Sequence, residues 1–204
     1  MANRSFLVVT DHETIYPSSV EADFSPARQT IAQGVYCVPL LWFALFRQND
    51  LRTATIEQDG ETVEVTAPLV NTATALTQLN AAIPTLNSMF SSLGSLAEYA
   101  HLLRQEIETV ARAHITIEFD EIACMSDRES FYAHLSYALG ALDGNIPAGV
   151  GRKSLLTLCQ IDPNLRFPPA SYLLSEEQLN DSLVLQHANI LGSGWERDTG
   201  WELV

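Results

Sequence analysis

The stretch Leu86-Asn-Ser-Met89-Phe-Ser-Ser-Leu93-Gly-Ser-Leu96-Ala-Glu-Tyr-Ala100-His-Leu-Leu103-Arg-Gln-Glu-Ile107-Glu-Thr-Val110-Ala-Arg-Ala-His114 decides how the rest of the chain is read. Its apolar positions recur at alternating steps of three and four, which places Leu86, Met89, Leu93, Leu96, Ala100, Leu103, Ile107, Val110 and His114 on one stripe of an α-helix. Ser91, Ser95, Glu98, Arg104, Gln105, Glu108 and Arg112 fall off that stripe. One interruption is visible. Gly94 costs about 1 kcal/mol relative to Ala in a helix interior, and Ser95 with Glu98 has the spacing of an N-terminal capping box. The stretch is therefore either one helix or two, the second running from about Leu96 to Ala113. An apolar stripe of this kind faces a core or pairs two subunits, so a homodimer through residues 86–114 stays open.

Working outward, Ile115-Thr-Ile-Glu-Phe119 alternates as a strand. Ser126 with Glu129 reads as a second capping box ahead of a helix that turns Phe131, Leu135, Ala138, Leu139 and Leu142 inward. Residues 143–151 read as a Gly-rich loop and a possible seam, followed by a short helix or strand at Ser154–Cys159. Ser175 with Gln178 caps a last helix ending near His187.

On the N-terminal side, Pro84 should stop a helix that begins at Asn71 or Thr72 and runs to about Ala82. Thr53–Gln58 and Glu61–Thr66 flank Asp59-Gly60, a strong hairpin signal because the tight turn needs positive φ. Pro39–Phe46 reads as a short buried helix, and Thr14–Gln33 as a long surface loop. Ser5-Phe-Leu-Val-Val-Thr10 is apolar on both faces, as in the middle of a sheet. The expected fold is α+β, a helix-rich single domain over residues 1–204 packed with a small, at least partly antiparallel sheet.

Composition narrows the function classes. Asp and Glu number 25 against 11 Lys and Arg, a formal net charge of −14. Such a surface repels nucleic-acid phosphates and anionic lipids and suits a basic protein partner or, more commonly, simply solubility. Cys37, Cys124 and Cys159 are odd in number and widely spaced, which argues for reduced thiols and against a disulfide framework or structural zinc. The longest apolar run, Val35–Phe46, falls short of the roughly 20 residues a spanning helix needs. A cytoplasmic protein without cofactor or metal is expected.

Candidate chemistry is sparse. Asp11, His12 and Glu13 follow the first strand, and Glu118, Asp120 and Glu121 close another. If the two groups converge, they could bind a metal or small ligand, or do acid–base work. No GxSxG elbow or HExxH motif occurs. All three cysteines read as core, and His101, His114, His134 and His187 fall in helical segments without companion ligands. Gly149, Gly151, Arg152, Lys153 and Ser154 superficially resemble a phosphate loop, but Lys153 stands one place late and a helix precedes. The tail repeats Gly194-Trp195-Glu196 as Gly200-Trp201-Glu202, and its tryptophans suit either a lid on the core or an anchor for a partner.

The opening Met1-Ala-Asn-Arg-Ser-Phe-Leu7, the Val38-Pro-Leu-Leu-Trp42 segment and the acidic Glu118–Ile122 segment resemble a group of bacterial cytosolic proteins that share them and have no established activity. The resemblance implies a bacterial, cytosolic, single-domain protein and transfers no functional residue. The sequence thus favours a non-enzymatic acidic protein that binds another protein, most concretely an immunity protein neutralising a basic toxin. Trp195, Trp201, Glu118, Asp120 and Glu121 are its candidate contacts. The rival is an enzyme or ligand binder built on the acidic and histidine cluster at the strand ends.

Overall fold

The computed structural model describes residues 3–15, 26–58, 61–125, 127–164 and 182–193. The described chain is α+β: a five-stranded sheet in which every pairing is antiparallel, packed with helices. The strands are β1 (Arg4–Thr10), β2 (Arg28–Val35), β3 (Leu51–Gln58), β4 (Glu61–Asn71) and β5 (His114–Glu118), in the order β2-β1-β5-β4-β3. The helices are α1 (Thr72–Met89), α2 (Ala97–Val110), α3 (Asp120–Ala123), α4 (Arg128–Leu142), α5 (Ala148–Leu158) and α6 (Ser182–Leu191). No helix among the described residues is long and apolar enough to cross a membrane.

β1 lies between β2 and β5, as its two-sided apolar character predicts, and Leu7, Val8 and Val9 are fully buried. β2 corrects the sequence reading, since the last six residues of the expected loop, 28–33, belong to a strand. Its polar Gln29, Thr30 and Gln33 hide the β pattern, and a register shift at Leu7/Val8 breaks the alternation. The β3–β4 hairpin forms with Gln58 opposite Glu61; Asp59 and Gly60 lie outside the described residues.

The expected buried helix is a 3₁₀ segment, Leu40–Leu45, with every side chain in the core. Trp42 donates its indole N–H to the Leu191 carbonyl at 2.8 Å, so α6 satisfies the one polar atom this ring brings inside. Just beyond α6, Gly192 takes φ +83°, and a Cβ there would stand 2.7 Å from Trp42 Cζ2. Ser193 then exchanges two backbone hydrogen bonds with Gln33 and closes that point of the β2 edge.

The decisive stripe is divided. α1 starts at Asn71, whose Oδ1 accepts from the Ala73 N–H at 3.0 Å, and runs through Pro84 to Met89 instead of stopping. Pro84 and Asn80 both face solvent, so the carbonyl that proline leaves without a donor lies on the wet side. A 3₁₀ turn at Ser91–Leu93 and Gly94, at φ 78° and ψ −158°, separate α1 from α2. Ser95 Oγ accepts from the Ala97 N–H at 3.3 Å, while Asn87 Oδ1 takes the Leu96 N–H at 3.0 Å. Leu86, Met89, Leu93, Leu96, Ala100, Leu103 and Ile107 are nevertheless all buried in one core. Val110 and His114, at the end of the stripe, are half-buried.

α4 is capped by Asp127, whose Oδ2 accepts from the Ser130 N–H at 2.9 Å; Ser126, the expected cap, lies outside the described residues. Phe131, Leu135, Ala138, Leu139 and Leu142 face inward as predicted. The expected Gly-rich loop is shorter than read, because α5 begins at Ala148. Gly151 permits this: a Cβ on it would stand 2.1 Å from Ala141 Cβ, so only glycine lets α5 lie this close to α4. Leu142 and Leu155, on either side of the turn, share the same core.

A polar junction ties these layers together. Arg47 donates to the Ala44, Phe46 and Gln78 carbonyls at 3.2, 2.8 and 2.8 Å, and its Nε lies 3.2 Å from Asp143 Oδ1. Asp143 Oδ2 also accepts from the Gln48 N–H at 3.1 Å. Burial lowers the Arg47 pKa, and Asp143 and Asp50 oppose that shift.

Candidate functional site

The six strand-end residues are divided by the antiparallel register. Thr10 lies opposite His114, whereas Phe6 lies opposite Glu118. Asp11, His12 and Glu13 therefore leave one end of the β1–β5 pair, and Glu118 ends the other, about 13 Å away along the strand at ordinary rise. Each group has its own local task. Asp11 accepts from the Ala113 N–H at 3.2 Å and from Arg112 at 2.6 Å. The Ala113 amide, then the Arg112 guanidinium, hold its carboxyl below the usual carboxylate range. His12 donates its backbone N–H to Thr10 Oγ1 at 3.1 Å, and Glu13 is exposed.

At the opposite end, Glu118 is paired with Arg28 of β2. Asp120 and Glu121 open the single turn of α3, which sequence patterning left unassigned. Glu121 Oε2 accepts from the Arg4 N–H at 2.8 Å. Arg128 reaches back from α4 to Asp120 Oδ2 at 3.3 Å and to Cys124 Sγ at 2.8 Å. Burial raises the Asp120 pKa against the pull of Arg128. Next to this group, Tyr132 Oη accepts from the Thr66 N–H at 3.3 Å, and burial pushes its hydroxyl pKa up. Among the described residues no group of three or more His, Cys, Asp or Glu side chains is arranged to hold a metal ion.

The candidate nucleophiles lie in separate places. Cys37 and Cys159 are buried, as read, and burial pushes the Cys37 thiol up to about 12, far from a reactive thiolate. Cys124 is exposed and not core: Ile122 and Ala123 turn inward, and the next helical step carries it outward. Its neighbour is a guanidinium, which cannot act as a general base. His114 opens β5 and is not helical. His101 is exposed on α2, His134 Nδ1 lies 3.2 Å from Ser154 Oγ, and His187 is buried in α6. The resemblance to a phosphate loop also dissolves, because residues 149–154 are helical. Arg152 Nε donates to the Met89 carbonyl at 2.9 Å, and its guanidinium lies 5.6 Å from the centre of the Phe90 ring.

Trp195 and Trp201 lie outside the described residues. What the described surface does display is a consistent use of charge. Arg28, Arg47, Arg52, Arg104, Arg112, Arg128 and Arg152 all have their guanidinium groups engaged within the chain, on carboxylates, carbonyls or a thiol. Glu13, Glu64, Glu98, Glu121, Asp127 and Glu129 are exposed. Apart from the i,i+4 pair of Arg104 with Glu108 and the Cys124 contact of Arg128, these arginines meet remote segments or backbone carbonyls, for which the sequence had no local signal. Comparison with protein-family models, with curated proteins and with solved structures finds no match to this chain.

Proposed function

We propose that this is an acidic protein-binding protein, and that its partner is basic; an immunity protein that neutralises a basic toxin is the most concrete form. One observation carries the reading. Seven described arginines are engaged within the chain while Glu13, Glu64, Glu98, Glu121, Asp127 and Glu129 are exposed, which supports an outward negative field from the −14 formal charge. A field of one sign accelerates encounter with an oppositely charged protein and makes the association sensitive to salt. The separation of Asp11 from Glu118 supports the same reading by removing the convergent carboxylate pocket that an enzyme would need there.

The test is affinity capture of the tagged full chain from its own host's lysate, washed at low and at high salt. A stoichiometric basic protein retained at low salt and released at high salt is the expected outcome. No basic protein at either salt would overturn the reading.

A further inference from the structure

The two edges of the sheet differ. At Gln33 the β2 edge is closed by Ser193. The β3 edge ends the strand order, and among the described residues no strand lies beyond it. Which β3 groups face outward follows from the register. Gln58 opposite Glu61 closes a two-residue connection, so hydrogen-bonded and non-bonded pairs alternate back along the ladder from there. The Thr53–Thr66 pair is then a non-bonded one. Consistent with this, the Thr66 N–H turns away from β3 to Tyr132 Oη. The backbone N–H and C=O of Thr53 and Thr55 therefore point outward, and both residues are exposed.

This edge also belongs to the most one-sided part of the hairpin. Residues 51–66 carry Glu57, Asp59, Glu61 and Glu64 against Arg52 alone. Arg52 is folded back to the base of the strand, donating to the Asn49 and Leu51 carbonyls at 2.8 and 3.0 Å. A second copy of this chain is a poor occupant, since it would bring an equal negative charge alongside.

We propose that the outer edge of β3, centred on Thr53 and Thr55, docks a β-strand of the basic partner as a sixth strand of the sheet. Backbone hydrogen bonds supply the attachment and the acidic hairpin selects the charge. The proposal rests on the protein-binding reading above and adds the surface.

The probe is a synthetic octapeptide alternating Lys and Val, with a Glu–Val octapeptide as control, titrated into the full chain and followed by amide chemical shifts. The basic peptide should shift Thr53 and Thr55 most, bind more weakly as salt rises, and leave the acidic control unbound. Thr55→Pro removes a donor that the β3–β4 ladder does not use and should weaken binding about tenfold or more, whereas Thr55→Ala should not. Glu61→Lys with Glu64→Lys leaves every backbone donor in place, so it tests charge even if the proline variant folds poorly; it should weaken binding and flatten the salt dependence.

Largest shifts elsewhere on the chain, or wild-type binding by Thr55→Pro, would overturn the β3 assignment. Capture of a basic host protein by Thr55→Pro at the wild-type level would also overturn it while leaving the protein-binding reading intact. No basic protein captured by the wild-type chain would remove both.

Discussion

His187 shows how much a single side chain can set the pH range of this fold. It is 4% exposed, stands edge-on to Tyr99 with ring centroids 5.5 Å apart, and neither ring nitrogen has a hydrogen-bond partner among the described residues. Burial without a partner lowers its pKa from 6.5 to about 4. An unfolded chain therefore takes up this proton first as pH falls, and the contribution to stability is lost between about pH 6.5 and 4. Asp120 works in the opposite sense, because its raised pKa lets the folded state hold a proton longer. We expect the urea midpoint of the wild type to fall from pH 7 to pH 4.5, and His187→Leu to flatten that fall; equal slopes would refute the assignment. Arg47 makes a second residue-scale case. With Arg47 and Asp143 side chains each 16% exposed, Arg47→Met should cost about 3–5 kcal/mol by stranding the carboxylate. Adding Asp143→Asn should cost less than the sum of the single changes, as read from equilibrium unfolding.

At the scale of elements, the division between α1 and α2 separates what was legible from what was not. Burial along the stripe was legible, since the side-chain spacing selects core positions whatever the backbone does between them. The break was only half legible. Gly94 was read as a defect in a helix, but it occupies a backbone region that other residues rarely adopt. Gly94→Ala should therefore destabilise by about 1–3 kcal/mol, where a helix-interior glycine would give a gain. Pro84 carries the reverse lesson. A proline signal predicts a stop, but Leu86, Met89 and Phe90 beyond it bury enough apolar surface to carry the helix on. Pro84→Ala should raise stability by about 1–3 kcal/mol, measured by thermal or urea unfolding. β2 was hidden for a different reason: pairing with β1, not its own composition, makes Arg28–Val35 a strand.

For the molecule as a whole, strand direction decided the fate of the candidate site. Asp11–Glu13 and Glu118–Glu121 were each recognisable as polar strand ends, but nothing local to either says that β1 and β5 run antiparallel. The charge balance was legible from composition alone, whereas the contacts of Arg28, Arg47, Arg112 and Arg152 depend on the tertiary fold. Because the formal net charge is −14, added NaCl should raise the melting temperature by screening self-repulsion; a lower one would mean the ion pairs dominate. The place of β1 has a last consequence, in the timing of synthesis. It is made well before its partner β5, which lies more than a hundred residues downstream. At about 5–20 residues per second, Leu7, Val8 and Val9 wait on the order of 5–20 s for that neighbour. In that interval β1 has only β2 to pair with and its other edge is unmatched, the kind of segment chaperones hold. Ribosome-stalled chains should resist protease around β1 only once β5 has emerged; earlier protection would mean that β2 alone can shelter it.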